Sequence, residues 1–357
     1  MKSRSLHIVL VVLVFLSACK KDDDNNGYVN QPTPAPLDIP QIFSDNIIDP
    51  VIPTDNPQTV EGIALGKKLF YDPLLSANNT QSCASCHRPP NAFSDIPRFS
   101  IGIDGIPGTR NSMPLFNLAW NYDEMFFWDG REFSLEHQAL EPVTNPIEMH
   151  NTWEEVVRRL ENHPEYPSMF TDAFGNGNIT KEKATKAIAQ FERTLISANS
   201  KFDRFLLGLT TLTPEEENGL NVFMDEERGD CFHCHGNPNN PLWTDNQFHN
   251  NGLDATFTDL GLGAVSGDPS DNGKFRSPSL RNLAFTAPYM HDGRFNTLDE
   301  VINHYSEGLQ NSPTIDPLMK KVAEGGVQLS DQDKADLKAF LLTLSDPSFL
   351  NNPDFQN

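Results

Sequence analysis

Two five-residue stretches, Cys83 to His87 (CASCH) and Cys231 to His235 (CFHCH), constrain this chain more than anything else in it. In C-x-x-C-H each thiol can add to one vinyl group of a haem while the adjoining imidazole reaches the iron, so each copy proposes one covalently attached c-type haem. A thioredoxin-like redox pair and half of a zinc site share the cysteine spacing. Two copies that both end in His, in a chain that opens with an export signal, favour two c-type haems as the cofactors.

That export signal runs from Met1 to Cys19. Lys2 and Arg4 precede an apolar run from Ile8 to Leu16, and Leu16-Ser17-Ala18-Cys19 has the form of a bacterial lipobox. The run is too short for a stable transmembrane helix and reads as a leader, residues 1–18, removed on export. Cys19 then becomes a lipidated first residue, which leaves the other four cysteines, Cys83, Cys86, Cys231 and Cys234, for haem attachment and none for a disulfide. Residues 19–45, charged and then rich in Asn and Pro, are expected to be a flexible tether. The expected location is the bacterial cell envelope, facing the periplasm or the cell surface through a lipid anchor in the membrane. A formal charge of −22, from 49 acidic and 27 basic residues, argues against nucleic acid and suits a basic or neutral protein partner.

The body reads as mainly α with long loops, as expected when haem supplies much of the core. Helical periodicity starts at Glu61 and recurs at 153–160, 181–195, 213–223, 298–305 and 330–344. Thr213 followed by Pro214, Glu215 and Glu216 has the composition of a capped helix start, and Ser330 with Asp333 resembles it. The run LGKKLF ahead of the first haem motif is echoed by Gly219, Leu220, Val222 and Phe223 ahead of the second, a weak repeat that implies duplicated cytochrome domains.

Four further stretches narrow the reading: LGKKLFYDPLLS at 65–76, RNSMPLFN at 110–117, FFWDGR at 126–131 and TAPYMHDGRF at 286–295. In this order, with the two haem motifs, they resemble the bacterial di-haem cytochrome c peroxidase family, which includes the MauG branch. The resemblance implies two mainly α cytochrome c-like domains, each with one covalently bound c-type haem. On that division residues 46–205 form an N-terminal peroxidatic haem domain and 206–350 a C-terminal electron-transfer haem domain.

The same resemblance makes His87 the proximal ligand of the peroxide-reacting haem and His235 that of the electron-transfer haem. Where some family members carry a capping His in the loop after the first motif, this sequence has Ile103, which cannot ligate iron; Met113 or a remote His is the alternative cap. Tyr305, fourteen residues after His291, occupies the position of a distal ligand that is Met in family peroxidases and Tyr in the MauG branch. Met290, His291, His304 and Met319 compete for that bond, with His304 pointing about 100° away on a helix.

Reduction of hydrogen peroxide needs a group that takes a proton from one oxygen and returns it to the other. The resemblance places Glu148 there, with Gln138 hydrogen-bonded to it, and Trp128 between the haems as an electron relay. It also places a calcium ion on Asn111, Thr286 and Pro288, an oxygen set suited to a hard cation. His7, His137, His150, His163, His233 and His249 have no motif support and read as leader, surface or packing residues.

Three functions follow as expectations. The first is an enzyme, a cytochrome-c peroxidase reducing hydrogen peroxide with electrons from a small cytochrome c or cupredoxin. The second is MauG-like oxidation of a protein side chain through a bis-high-valent di-haem state, favoured by Ile103 and Tyr305. The third is a non-catalytic di-haem electron-transfer cytochrome. Members of the family often dimerise, so a homodimer is a further expectation.

Overall fold

A computed structural model describes residues 31–357. The leader and Cys19 lie outside the described residues. Helices make up 39% of the described residues, whose strands form one short antiparallel pair, Phe248–His249 with Phe275–Arg276. No helix among the described residues is long and apolar enough to cross a membrane.

Two crossed helix pairs organise the fold. Val60–Tyr71 packs on Lys181–Arg193, and Pro214–Met224 packs on Asp331–Leu342. Each crossing turns on a glycine of the sequence repeat. A Cβ on Gly66 would lie 1.8 Å from the Ala187 carbonyl oxygen, and one on Gly219 would lie 2.0 Å from that of Asp336. Only a residue without Cβ lets the backbones approach this closely. Four residues on, one helical turn, Phe70 and Phe223 are fully buried.

The helix starts follow the sequence signals. Thr59 accepts from the Gly62 amide, Thr213 and Glu216 form a reciprocal capping box behind Pro214, and Ser330 accepts from the Asp333 amide. Tyr166–Phe174 and Lys201–Leu206 are helices the periodicity did not single out.

Around the first pair lie Leu65, Leu69, Trp153, Val156, Tyr166 and Ile188, with Phe93, Phe116 and Phe191 on its other side. Around the second lie Phe202, Phe223, Trp243, Ile302 and Phe340. The chain passes from one core to the other between Leu195 and Phe202, where the buried Arg281 grips Asp203 through both guanidinium nitrogens, at 2.6 and 2.8 Å. The C-terminal stretch then returns to the first core, where Phe349 and Phe355 pack on Phe93.

Residues 33–45, read from the sequence as the end of a flexible tether, are packed down instead. Thr33 bonds to Glu61, Pro34 bridges Thr59, and Phe43 is fully buried edge-on to Trp120. Sequestering Phe43 and Ile42 from water offsets the entropy of ordering a Pro-rich strap.

Candidate functional site

The first haem motif forms one short helical turn, Cys83–Cys86, and His87 follows as its cap. The His87 Nδ1 lies 2.9 Å from the Phe93 carbonyl oxygen, which leaves Nε2 as the ring atom free to bind a metal. Burial holds the imidazole pKa below its ordinary value despite that bond, so the ring is neutral and its lone pair available. His87 opens into a cavity of about 400 Å³, within the range of cofactor sites.

Glu148, Gln138 and Trp128 line that same cavity. Burial raises the Glu148 pKa, helped by the negative charge of Glu141 and opposed by a hydrogen bond from Asn145 and the charge of Arg131. A carboxyl tuned upward in a cavity is the form a proton-transferring group takes. The orienting bond differs from the expected one. Asn145 Nδ2 donates to Glu148 Oε1 at 2.7 Å, and Gln138 shares the cavity without bonding to Glu148. Asn145 wins because the turn is local, the Glu148 amide itself donating to the Asn145 carbonyl at 3.0 Å.

Ile103 does not line the cavity; its neighbours Ile101 and Gly102 do. The Ile103 amide donates to the Glu148 carbonyl at 3.0 Å, and Gly102 lies so close to Ile147 that a Cβ would sit 2.1 Å from its carbonyl oxygen. The loop is therefore tied to the backbone of the segment that carries Glu148. His87 is the one imidazole among the residues lining the cavity, and Met113 lines it too, its backbone close to the His87 ring.

The second motif opens into a cavity of about 210 Å³ lined by Cys231, Cys234, His235 and Tyr305, together with Met290, His291 and Met319. Burial lowers the His235 pKa to about 4, so this imidazole too is neutral. Tyr305 reaches the cavity from helix Leu298–Glu307, and its hydroxyl accepts from Asn251 Nδ2 at 3.1 Å. Burial pushes its pKa up to about 12, with the Asn251 bond acting the other way. His304 is excluded from the cavity, its Nε2 held 3.2 Å from the Asn251 carbonyl oxygen. His249, which carried no motif, lines this cavity with its two ring nitrogens bonded to Asp245 and Asp316 at 2.8 and 2.7 Å.

The four thiols are unpaired, and no group of three or more His, Cys, Asp or Glu gathers in metal-binding proximity among the described residues. Cys86 lines the first cavity with His87, while Cys83 packs against the core behind it, and both Cys231 and Cys234 line the second with His235. The donor set, two thiols and one neutral imidazole per motif, fits a c-type haem in both places.

Trp128 belongs to the walls of both cavities, its Nε1 donating to the Asn111 carbonyl at 2.8 Å. Asn111, Thr286 and Pro288, the three calcium candidates, all line the second cavity. Asn111 Nδ2 donates to the Arg98 carbonyl at 3.1 Å, which leaves its side-chain oxygen as the atom for a cation.

A second repeat went unread in the sequence. Ser112 Oγ donates to the Cys86 carbonyl at 3.0 Å and lies 3.4 Å from His87 Nδ1; Ser277 Oγ donates to the Cys234 carbonyl at 3.1 Å and lies 3.4 Å from His235 Nδ1. The signal was present in Arg110-Asn111-Ser112 and Arg276-Ser277, each ahead of a Pro- and Leu-containing stretch that ends in Asn-Leu-Ala.

A family model described as di-haem cytochrome c peroxidase matches residues 60–211. The methylamine utilization protein MauG of Methylorubrum extorquens is 38% identical over 309 residues, covering 84% of this chain and 83% of its own length. Cytochrome-c peroxidase IdrP1 of a Pseudomonas species (strain SCT) is 34% identical, covering 85% and 86%. Among solved structures, a MauG-like protein associated with microbial copper homeostasis superposes with a TM-score of 0.81 at 36% identity, covering 90% of this chain and 99% of that one.

Proposed function

The chain belongs to the di-haem cytochrome c peroxidase family, and we propose that it reduces hydrogen peroxide to water in the cavity of His87 and Glu148, with electrons entering through the cavity of His235 and Tyr305. The observation that carries this reading is the shared wall, one Trp128 side chain lining both cavities.

Two c-type haems, attached through Cys83 with Cys86 and through Cys231 with Cys234, supply the iron that relays electrons from a donor to peroxide. His87 and His235 would hold the two irons, His87 through the Nε2 that its Nδ1 bond to the Phe93 carbonyl leaves available. Glu148 takes a proton from one peroxide oxygen and returns it to the other, which departs as water. Asn145 keeps the carboxylate turned into the cavity, Gln138 adds an amide to the same wall, and Trp128 carries the electron across. The two haem units meet at the crossover between Leu195 and Phe202. Asn111, Thr286 and Pro288 would hold calcium beside Trp128, stiffening the junction.

The donor fits the charge: a small basic or neutral cytochrome c or cupredoxin meeting a surface of net −22. We assign the protein to the cell envelope, anchored through a lipid on Cys19. The deciding assay is peroxide-dependent oxidation of a reduced small cytochrome c. Glu148→Gln should cut the rate at least tenfold, the lower end of what a positioned general acid–base supplies being about 10²-fold, and an unchanged rate rejects Glu148 as the proton carrier.

One observation favours a second reading, oxidation of a side chain on another protein. Tyr305 stands in the second cavity with an amide donor on its hydroxyl, where its phenolate would donate strongly to iron. Adding peroxide to the diferric protein separates the two: a long-lived oxidised absorption spectrum supports the second reading, and a requirement for prior reduction supports the first.

A further inference from the structure

Three arginines among the described residues are buried: Arg193, Arg276 and Arg281. Arg193 is clamped by both oxygens of Glu136, and Arg281 by both oxygens of Asp203. Arg276, 8% exposed, forms no ion pair with any described carboxylate. One of its terminal nitrogens donates to the Asn246 side-chain oxygen, and its Nε–H is buried with no acceptor at all. A guanidinium taken out of water without a counter-charge costs several kcal/mol, so a site of this kind is built for an anion the polypeptide does not supply.

Where Arg276 sits identifies that anion. It lines both the cavity of His87 and the cavity of His235, and its amide donates to the Trp128 carbonyl at 2.9 Å, in the partition between them. The thioether edge of a c-type haem is tied to its cysteines, so the carboxylates leave from the opposite edge of the ring. Resting on the di-haem reading above, we propose that Arg276 is the shared counter-cation for the propionates of both haems, and that it sets both reduction potentials at once. Burial draws its pKa down to about 10, the charges of Asp123 and Asp245 opposing that only in part and neither reaching it as an ion pair.

Reduction adds one negative charge to each haem, and a nearby cation favours that state. The full-length holoprotein, as Arg276→Gln and Arg276→Lys, is titrated spectroelectrochemically, with haem counted by pyridine haemochrome on the same samples. The expected result is a downward shift of both midpoint potentials in Arg276→Gln and a smaller shift of both in Arg276→Lys, with two haems per chain throughout. Unmoved potentials, or a shift at one haem alone, in a variant holding two haems overturn the proposal and leave the di-haem reading standing. Fewer than two haems in the wild-type protein overturn both. If Arg276→Gln fails to mature, resonance Raman of Arg276→Lys decides: displaced propionate bending bands on both haems support the clamp, and wild-type bands reject it.

Discussion

The Arg276 amide donates to the Trp128 carbonyl at 2.9 Å, and the reverse exchange exists too, the Asn111 amide donating to the His291 carbonyl at 2.7 Å. Trp128 and His291 open the two DGR turns, and Asn111 and Arg276 each precede the serine beside the imidazole of a C-x-x-C-H motif, His87 or His235. The two halves thus hold each other by the same bond made twice, and the indole between the cavities is fixed at its backbone and at its Nε1.

Trp128→Phe keeps an aromatic ring but removes the donor to the Asn111 carbonyl. An orphaned buried acceptor costs about 1–3 kcal/mol, so the thermal midpoint should fall, while electron transfer between the haems slows with the haem count unchanged. Stopped-flow absorption at each haem after mixing with reduced donor reads the transfer step.

Glu148 acts as a base only when ionised, and burial sets its pKa above the ordinary 4.5. Activity should therefore rise with pH through an acid limb above 4.5. Asn145→Ala removes a bond that favours the carboxylate, worth about 1.5–3 kcal/mol for a charged acceptor. Its limb should move up by about one to two pH units, and Gln138→Ala should leave the limb in place. The pH profile of kcat/KM for the three proteins tests both statements.

Tyr305→Phe deletes the hydroxyl that faces the second cavity. With the phenolate gone, the electron paramagnetic resonance spectrum of the oxidised protein should change at one haem and that haem's midpoint potential should rise, since a strong anionic donor stabilises the oxidised metal. An unaltered spectrum would mean a structural tyrosine.

Gly66→Ala and Gly219→Ala place a methyl group 1.8 and 2.0 Å from backbone oxygens that cannot swing away. Each should cost about 3 kcal/mol or more, at the upper end for overpacked cores, and each should disturb the haem of its own half first. Denaturant unfolding followed separately in the two haem bands gives the answer.

Much of the site could be read from short patterns. C-x-x-C-H carries its chemistry in five adjacent residues, and the helix starts at Thr213 and Ser330 are local hydrogen-bond devices, so both survive translation into structure. The Gly66 and Gly219 echo, faint in the sequence, marks the two closest helix crossings. Gln138 was misjudged as the partner of Glu148 because spacing along the chain cannot tell which of two amides a turn brings within bonding distance. Residues 33–45 were misjudged because a Pro- and Asp-rich strap looks unstructured until Trp120, far along the chain, offers Phe43 a place to be buried.

The sequence by itself determined what is local or periodic: four thiols and two imidazoles at fixed spacing, most of the helical segments and the acidic balance. Only the tertiary structure decided which groups share a cavity: Asn145 with Glu148, Asn251 with Tyr305, and Arg276 without a carboxylate. The physical reason is that hydrogen bonds and ion pairs act over about 3 Å of space, and the distance in sequence between their partners, from three residues to more than fifty, leaves no local trace.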